Sequence, residues 1–187
     1  MKKMISLLLG TMMVFSLTAC GGNAASVDVT DATELLTKVW DSYTEDETFV
    51  VMGGDYEHIV DNAPGKYAYE NAEDYGMEYA LCFPLSAVEY IDDAASMTHG
   101  MMANDFTGAA YHVADAANTD TVVNGINETT LNNQWMCGFP EKLIVVTVGD
   151  DYVISAFGKN ALIDTFKEKI TTVYGDAAEV VVEESLE

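Results

Sequence analysis

Apolar residues recur every three or four positions in four segments of the chain, which is the spacing of one helix face. This pattern predicts helices over 32–43, from Ser86 to about His99, over 119–131 and over about 160–174. The first helix begins with a capping box formed by Asp31 and Glu34. A similar pair, Ser86 and Glu89, begins the second helix.

Short apolar runs bounded by turn residues predict the strands. These runs cover 48–52, 79–83, 108–113, 143–148 and 152–157. The last two are separated by Gly149-Asp150-Asp151 and form the clearest hairpin in the chain. The segment 55–78, with a turn at Pro64-Gly65 and scattered tyrosines, is predicted to be irregular. The stretch from Ala178 fits either an edge strand or an ordered tail.

Helices and strands are therefore mixed along one chain. The most economical architecture is a two-layer α+β sandwich, in which helices pack on one face of a mixed, mostly antiparallel sheet. Residues 31–187 are long enough to form a single domain with a sizeable core.

The N-terminus carries the pattern of an export signal. Lys2 and Lys3 precede an apolar run over 4–15, which is too short for a membrane span. The residues that follow, Leu17-Thr18-Ala19-Cys20, closely resemble the lipobox of bacterial lipoproteins. In a lipobox the cysteine thiol receives a diacylglyceryl group and a peptidase cuts just before it. The alternative is an ordinary secretory signal with a chance cysteine.

The lipobox divides the chain into three parts. Residues 1–19 are predicted to be a signal peptide, and 20–30 to be the lipidated Cys20 and a flexible tether. Residues 31–187 are predicted to be the domain. Because two or more acyl chains anchor a protein stably, the mature protein is expected on the extracellular face of the cell membrane, with that membrane as its partner.

The charge balance is strongly acidic. The chain has 31 acidic residues against 8 lysines and a net charge of −23. Removal of the predicted signal peptide leaves six lysines against the same 31 acids, a net charge of −25. The sequence has no arginine, so the clustered positive charge that binds nucleic acid or anionic lipid is missing. The acidic surface either keeps an exported domain in solution or attracts cations and basic partners.

Two cysteines remain besides Cys20. Cys82 precedes Phe83-Pro84 and Cys137 precedes Gly138-Phe139-Pro140, so the two have similar local sequences. An exported protein can oxidise such a pair, and a disulfide between Cys82 and Cys137 is one possibility. The other is two buried, inert thiols. Their spacing matches no zinc motif.

The segment 97–102 is the strongest local candidate for a metal site. Met97, His99, Met101 and Met102 offer thioether and imidazole ligands of the kind that soft copper(I) accepts. The alternative is a helix end at which methionines fill the core. His58 has no recognisable nucleophile nearby, and His112, on the strand predicted at 108–113, is expected to be a surface or satisfied histidine. No serine elbow or phosphate loop is present. The sequence therefore predicts no catalytic residue and no cofactor.

The chain also resembles a set of uncharacterised lipoproteins from Gram-positive, Clostridia-type bacteria. The resemblance is carried by Cys20-Gly21-Gly22, by the strand at 108–113 with the helix after it, and by the hairpin before the last helix. It implies a lipid anchor and a small domain of unknown function, and it transfers no catalytic residue.

These observations favour a non-enzymatic, lipid-anchored extracellular domain that binds a ligand or a protein partner. The tyrosines of segment 55–78 are the expected contact surface. The competing hypothesis is a small extracellular hydrolase that uses carboxylates. Binding of a soft metal at 97–102 is a third, weaker hypothesis.

Overall fold

A computed structural model describes residues 27–69, 76–136 and 138–186. The predicted signal peptide, Cys20, most of the tether and Cys137 lie outside these residues. The described part contains four α-helices, α1 (Ala32–Trp40), α2 (Gly76–Leu81), α3 (Thr119–Leu131) and α4 (Asn160–Tyr174). Its eight strands are β1 (Val51–Gly53), β2 (Val60–Asp61), β3 (Gly65–Lys66), β4 (Ile91–His99), β5 (Phe106–Val113), β6 (Lys142–Val148), β7 (Tyr152–Gly158) and β8 (Ala178–Ser185).

The eight strands form one sheet in the order β2-β1-β4-β5-β7-β6-β8, in which every neighbouring pair is antiparallel. β3 lies beside β1 on the same edge of β4. β1 pairs with the last residues of β4, Met97–His99, while β3 pairs with Ala95 and Ser96. Two short strands thus share one edge of a long one.

Helices cover both faces of this sheet. Side chains alternate along β5, so that Phe106 and Ala110 meet α1 and α4 while Ala109 and Tyr111 meet α2 and α3. The predicted α+β sandwich of helices on a largely antiparallel sheet is confirmed, but its helices occupy two faces rather than one. The nearly continuous apolar sequences of β6 and β7 fit this arrangement, because a strand covered on both sides needs apolar residues at every position.

The helix predicted from Ser86 to about His99 is not formed. The structure has a short 3₁₀ helix at Leu85–Tyr90 and then the strand β4. Ala94 to Met97 are buried, and the strand is paired on both of its edges. Alanine and methionine favour helices, but pairing with β5 and with β1 and β3 overrides that local preference.

The strand predicted at 79–83 is instead α2 and its C-terminal cap. Met77 and Leu81, four residues apart, are its buried positions, and Tyr79 between them is 73% exposed. The Phe83 backbone N–H donates to the Met77 carbonyl at 3.3 Å, and Cys82 has a φ of 52°. Cys82 takes the left-handed conformation that glycine usually adopts at a helix end, so the sequence carries no glycine stop signal here.

The remaining long elements follow the predictions. Helices α1, α3 and α4 and the hairpin β6–β7 lie within or close to the predicted ranges. The stretch from Ala178 is the edge strand β8, the first of its two alternatives. The segment 55–78 contains only the two-residue strands β2 and β3 and the start of α2 among its described residues.

Candidate functional site

A pocket opens between the β1–β3 corner of the sheet and α2. One wall is the chain after β1, which packs back against its own strand through backbone atoms. A Cβ added at Gly53 would lie 2.3 Å from the Gly65 nitrogen. Gly54 has a φ of 84°, and a Cβ there would lie 2.1 Å from the His58 carbonyl oxygen. This approach therefore requires glycine at both positions.

Asp55 organises the loop that follows. Its carboxylate accepts hydrogen bonds from the backbone N–H groups of Glu57 at 2.8 Å, His58 at 2.9 Å and Ala68 at 3.1 Å. The His58 Nδ1 lies 3.1 Å from the same carboxylate. Burial of Asp55 opposes ionisation, but these hydrogen bonds outweigh it and hold the pKa below its usual value. The pocket wall therefore contains a carboxylate that stays ionised under mildly acidic conditions.

Three tyrosines border the pocket. Tyr67 is buried, whereas Tyr56 is 76% exposed and Tyr79, on α2, is 73% exposed. Apolar side chains complete the lining, among them Met52, Ile59 and Leu81. The volume is about 290 Å³, close to the lower limit of small-molecule sites. The site thus combines an apolar interior with amphipathic tyrosines near solvent.

The polar groups of the pocket come mainly from β4 and the segment after it. The Ser96 hydroxyl donates to the Gly54 carbonyl at 2.8 Å, which ties the strand to the loop. The Asn104 amide donates to the Gly138 carbonyl at 3.2 Å. Thr98 and His99 also line the pocket. The polar atoms are few and each lies on a packed element, as is typical of binding sites.

His99 is held in place by its own loop. Its Nδ1 accepts hydrogen bonds from the backbone N–H groups of Met101 at 3.2 Å and Met102 at 3.3 Å. Its ring stacks on Phe49, with the ring centres 5.3 Å apart. Nδ1 is therefore occupied, and Nε2 is the nitrogen that remains for a ligand.

A second, more open groove lies on the other side of Tyr79. It has a volume of about 490 Å³ and is lined by Glu78, Tyr79, Glu128, Thr129, Asn132 and Asn133. The Asn132 amide donates to the Glu128 carbonyl at 2.8 Å, and the Asn133 amide donates to the Cys82 sulfur at 3.4 Å. Both asparagine amides of this groove thus already donate to groups of the protein.

The structure does not bring the four residues of the predicted soft-metal site together. Met97 is fully buried in the core beneath α1 and α4. Met101 is 86% exposed, and the His99 Nδ1 already accepts two hydrogen bonds. Met97 is thus a core residue, as in the alternative interpretation, but it lies on the strand β4 and not at a helix end, and Met101 and Met102 are exposed and do not fill the core. Within residues 27–69, 76–136 and 138–186, no three His, Cys, Asp or Glu side chains are grouped so that they could hold a metal ion.

Cys82 is fully buried, and its burial raises the pKa of the thiol to about 12. Its sulfur accepts a hydrogen bond from Asn133. Cys137 lies outside the described residues, so the disulfide between Cys82 and Cys137 stays a prediction.

The other two histidines lie next to carboxylates. His58 is paired with Asp55 in the pocket wall, and its side chain is largely exposed. His112 lies on β5, with its Nδ1 bonded to Asp92 and its Nε2 3.5 Å from Asp151. Burial lowers the pKa of His112, but the two carboxylates raise it by more than burial lowers it, so the pKa is raised overall. Both histidines are thus held by neighbouring carboxylates, which is a structural arrangement.

The sequence points to the tyrosines of segment 55–78, of which Tyr56 and Tyr67 border the pocket, but it does not predict the pocket itself. Ser96 and Thr98 cannot be recognised as pocket residues from the sequence, because the pattern of their segment predicts a helix. Tyr79 cannot be recognised either, because the pattern of its segment predicts a strand. The turn at Pro64-Gly65 and the pair Gly53-Gly54 are the signals that the sequence carries in this region, but turn signals alone do not show that the two segments are in contact.

Comparisons with protein-family models, with curated proteins and with solved structures found no match. The resemblance to Clostridia-type lipoproteins therefore stays a prediction. Across the described residues, no helix has both the length and the apolar character needed to cross a membrane.

Proposed function

We propose that the protein is a lipid-anchored extracellular domain that binds a small ligand in the tyrosine-bordered pocket. The observation that supports this function is the pocket itself, in which three tyrosines and several apolar side chains surround a few polar groups. Such a lining is typical of ligand sites. The large exposed fractions of Tyr56 and Tyr79 also favour recognition, since exposed aromatic residues are enriched where proteins bind partners.

The pocket has a rigid wall. Backbone contacts at Gly53 and Gly54, the Ser96 hydrogen bond and the hydrogen bonds of Asp55 all come from the protein itself and hold the loop against the sheet. A site formed in advance loses less conformational entropy on binding. This favours a binding role for the corner.

A blocking substitution tests the pocket. Ala103 is exposed and lines the pocket, so Ala103→Trp should fill its mouth without disturbing the core. Phenol and indole are suitable probes, and their binding to the purified mature protein is measured by NMR chemical shifts. We expect both to shift the amide signals of the pocket in the wild type and not in Ala103→Trp.

Ala161→Trp is the matched control, because Ala161 is exposed on α4 and does not line the pocket. It should bind the probes as the wild type does. Equal binding by all three proteins, or shifts confined to other surfaces, would contradict the proposed site.

The anchor is tested separately. Cells that express the protein are grown with radiolabelled palmitate, and the wild type should incorporate label while Cys20→Ser should not. Label that survives in Cys20→Ser, or its absence from the wild type, would contradict lipid attachment at Cys20.

The second candidate function is hydrolysis. It is favoured by the open groove in which Glu78 on α2 and Glu128 on α3 lie beside the exposed Tyr79. Two carboxylates beside an aromatic ring are the parts that a glycosidase uses. If the groove is catalytic, turnover of cell-wall glycan should be lost in both Glu78→Gln and Glu128→Gln. Turnover that persists in both variants, or is absent from the wild type, would contradict this function.

A further inference from the structure

We infer that the ligand of the tyrosine-bordered pocket carries an alkylated ammonium group. This inference rests on the proposed function and adds the chemical class of the ligand. It is carried by the aromatic lining, by a fixed negative charge in the wall, and by the apolar character of the rest of the pocket.

The aromatic lining comes first. Tyr56, Tyr67 and Tyr79 reach the pocket from three separate segments, the loop after β1, the segment after β3 and α2. A tyrosine ring attracts a cation through its π electrons, and several rings around one cavity form a typical site for quaternary and alkylated ammonium groups. The volume of about 290 Å³ is sufficient for such a head group.

The charged side chain that lines the pocket is negative, which is the sign that attracts a cation. Asp55 lines the wall and remains ionised, and none of the described lining residues is a lysine. Beyond Tyr79, the neighbouring groove adds Glu78 and Glu128. A cavity lined by one sign of charge within an acidic protein raises the local concentration of the opposite ion.

The Asp55 contacts distinguish an organic cation from a metal ion. Both carboxylate oxygens already accept hydrogen bonds from backbone N–H groups or from His58. Asp55 therefore acts through its charge and not as a direct ligand, whereas calcium or magnesium would need several free oxygen ligands. Met52, Ile59 and Leu81 provide the apolar contacts that alkyl groups require.

The test compares a cation with its neutral isostere. Choline and 3,3-dimethylbutan-1-ol have nearly the same shape and differ in charge. Each is titrated into the purified mature protein and followed by NMR chemical shifts. We expect choline to bind at least about tenfold more tightly than the alcohol, the factor that a cation–π contribution of moderate size supplies.

Tyrosine variants assign the effect to the rings. Tyr79→Leu and Tyr56→Leu should each weaken choline binding about tenfold, because they remove the π surface. Tyr79→Phe and Tyr56→Phe are the matched controls, and they should stay within about threefold of the wild type because phenylalanine keeps the ring face.

The outcomes separate this inference from the proposed function. If phenol and indole bind in the pocket but choline binds no better than the alcohol, the ammonium inference is wrong and the pocket remains a binding site. If choline binds equally well to the leucine variants, its site lies elsewhere and the inference is also wrong. If no probe binds, both the inference and the proposed function fail.

Discussion

The β4–β8 part of the sheet and the β1–β3 corner are built in different ways. Strands β4 to β8 have seven to nine residues each, and the central ones are covered by helices on both faces. The strands of the corner have two or three residues. Its loop is held by glycine backbone contacts and by the hydrogen bonds of Asp55.

This difference in construction means that the long strands supply stability and the corner supplies the binding pocket. Burial of apolar side chains stabilises the long strands, and their interior leaves little room for a ligand. In the corner, backbone packs on backbone at Gly53 and Gly54, so fewer side chains fill the space in front of the sheet. The pocket lies in that space. Substitutions in the two regions should therefore have different consequences, and the following predictions are ordered by their expected size.

The largest loss of stability is expected from Phe166→Ala. Phe166 is fully buried on α4, and its ring meets Phe106 edge-on with centres 5.2 Å apart. The cavity left behind should lower the free energy of unfolding by about 3–5 kcal/mol. Urea denaturation measures this change. Phe139→Ala is the control, because Phe139 is 66% exposed and its loss should change stability by less than about 0.5 kcal/mol. Similar losses in both variants would contradict the assignment of the core.

Gly54→Ala should break the corner. The substitution adds a Cβ within 2.1 Å of the His58 carbonyl oxygen at a φ of 84°, so we expect a loss of about 2–4 kcal/mol and loss of phenol binding. Gly175→Ala is the control for backbone strain alone. Gly175 also has a positive φ, with a ψ of −127°, but no atom lies within 4 Å of its added Cβ, so Gly175→Ala should cost only the backbone strain of about 1–3 kcal/mol and should leave phenol binding intact. Urea denaturation measures the loss of unfolding free energy in each variant. Equal losses in Gly54→Ala and Gly175→Ala would show that the contact with His58 adds nothing to the cost of the added Cβ.

A smaller, pH-dependent effect is expected at His112. Its pKa is raised in the folded protein, so its contribution is fully present below the unfolded value of about 6.5 and is lost as the pH rises through the folded pKa. The side chain is partly exposed, so His112→Asn should cost less than about 1 kcal/mol even at pH 5.5.

The measurement is the difference in unfolding free energy between wild type and His112→Asn at pH 5.5 and at pH 9. The difference should be larger at pH 5.5. The same difference at both values would mean that the ion pairs with Asp92 and Asp151 add no stability.

Tyr79→Leu should have the smallest effect on stability. Its side chain is largely exposed, so the change in unfolding free energy should stay within about 0.5 kcal/mol, while binding of the aromatic probes weakens. Phe166→Ala should show the reverse, with probe binding retained in the molecules that remain folded. A large loss of stability in Tyr79→Leu would mean that α2 supports the fold through this ring.

The elements that could be predicted are those whose burial follows one simple period. In α4, Ile163, Phe166 and Ile170 lie inward at helical spacing, and the hairpin β6–β7 has continuous apolar strands around a turn. β4 could not be predicted, since its strand state depends on partners distant in the chain. The pocket could not be predicted either, because its wall depends on a backbone contact between Gly53 and Gly65, twelve positions apart in the sequence.

The start of α1 and the pocket lie toward opposite ends of β4. The Ala32 backbone N–H donates to Asp93 at 2.8 Å, so the chain enters the domain near the first residues of β4. His99, at the pocket, is six residues further along that strand, about 20 Å away. Val27 and Val29 already pack against the core, so if lipid holds Cys20, only the six residues 21–26 separate the anchor from the domain, and six residues span at most about 20 Å. The entry point is then held close to the bilayer, while the pocket lies toward the opposite end of β4.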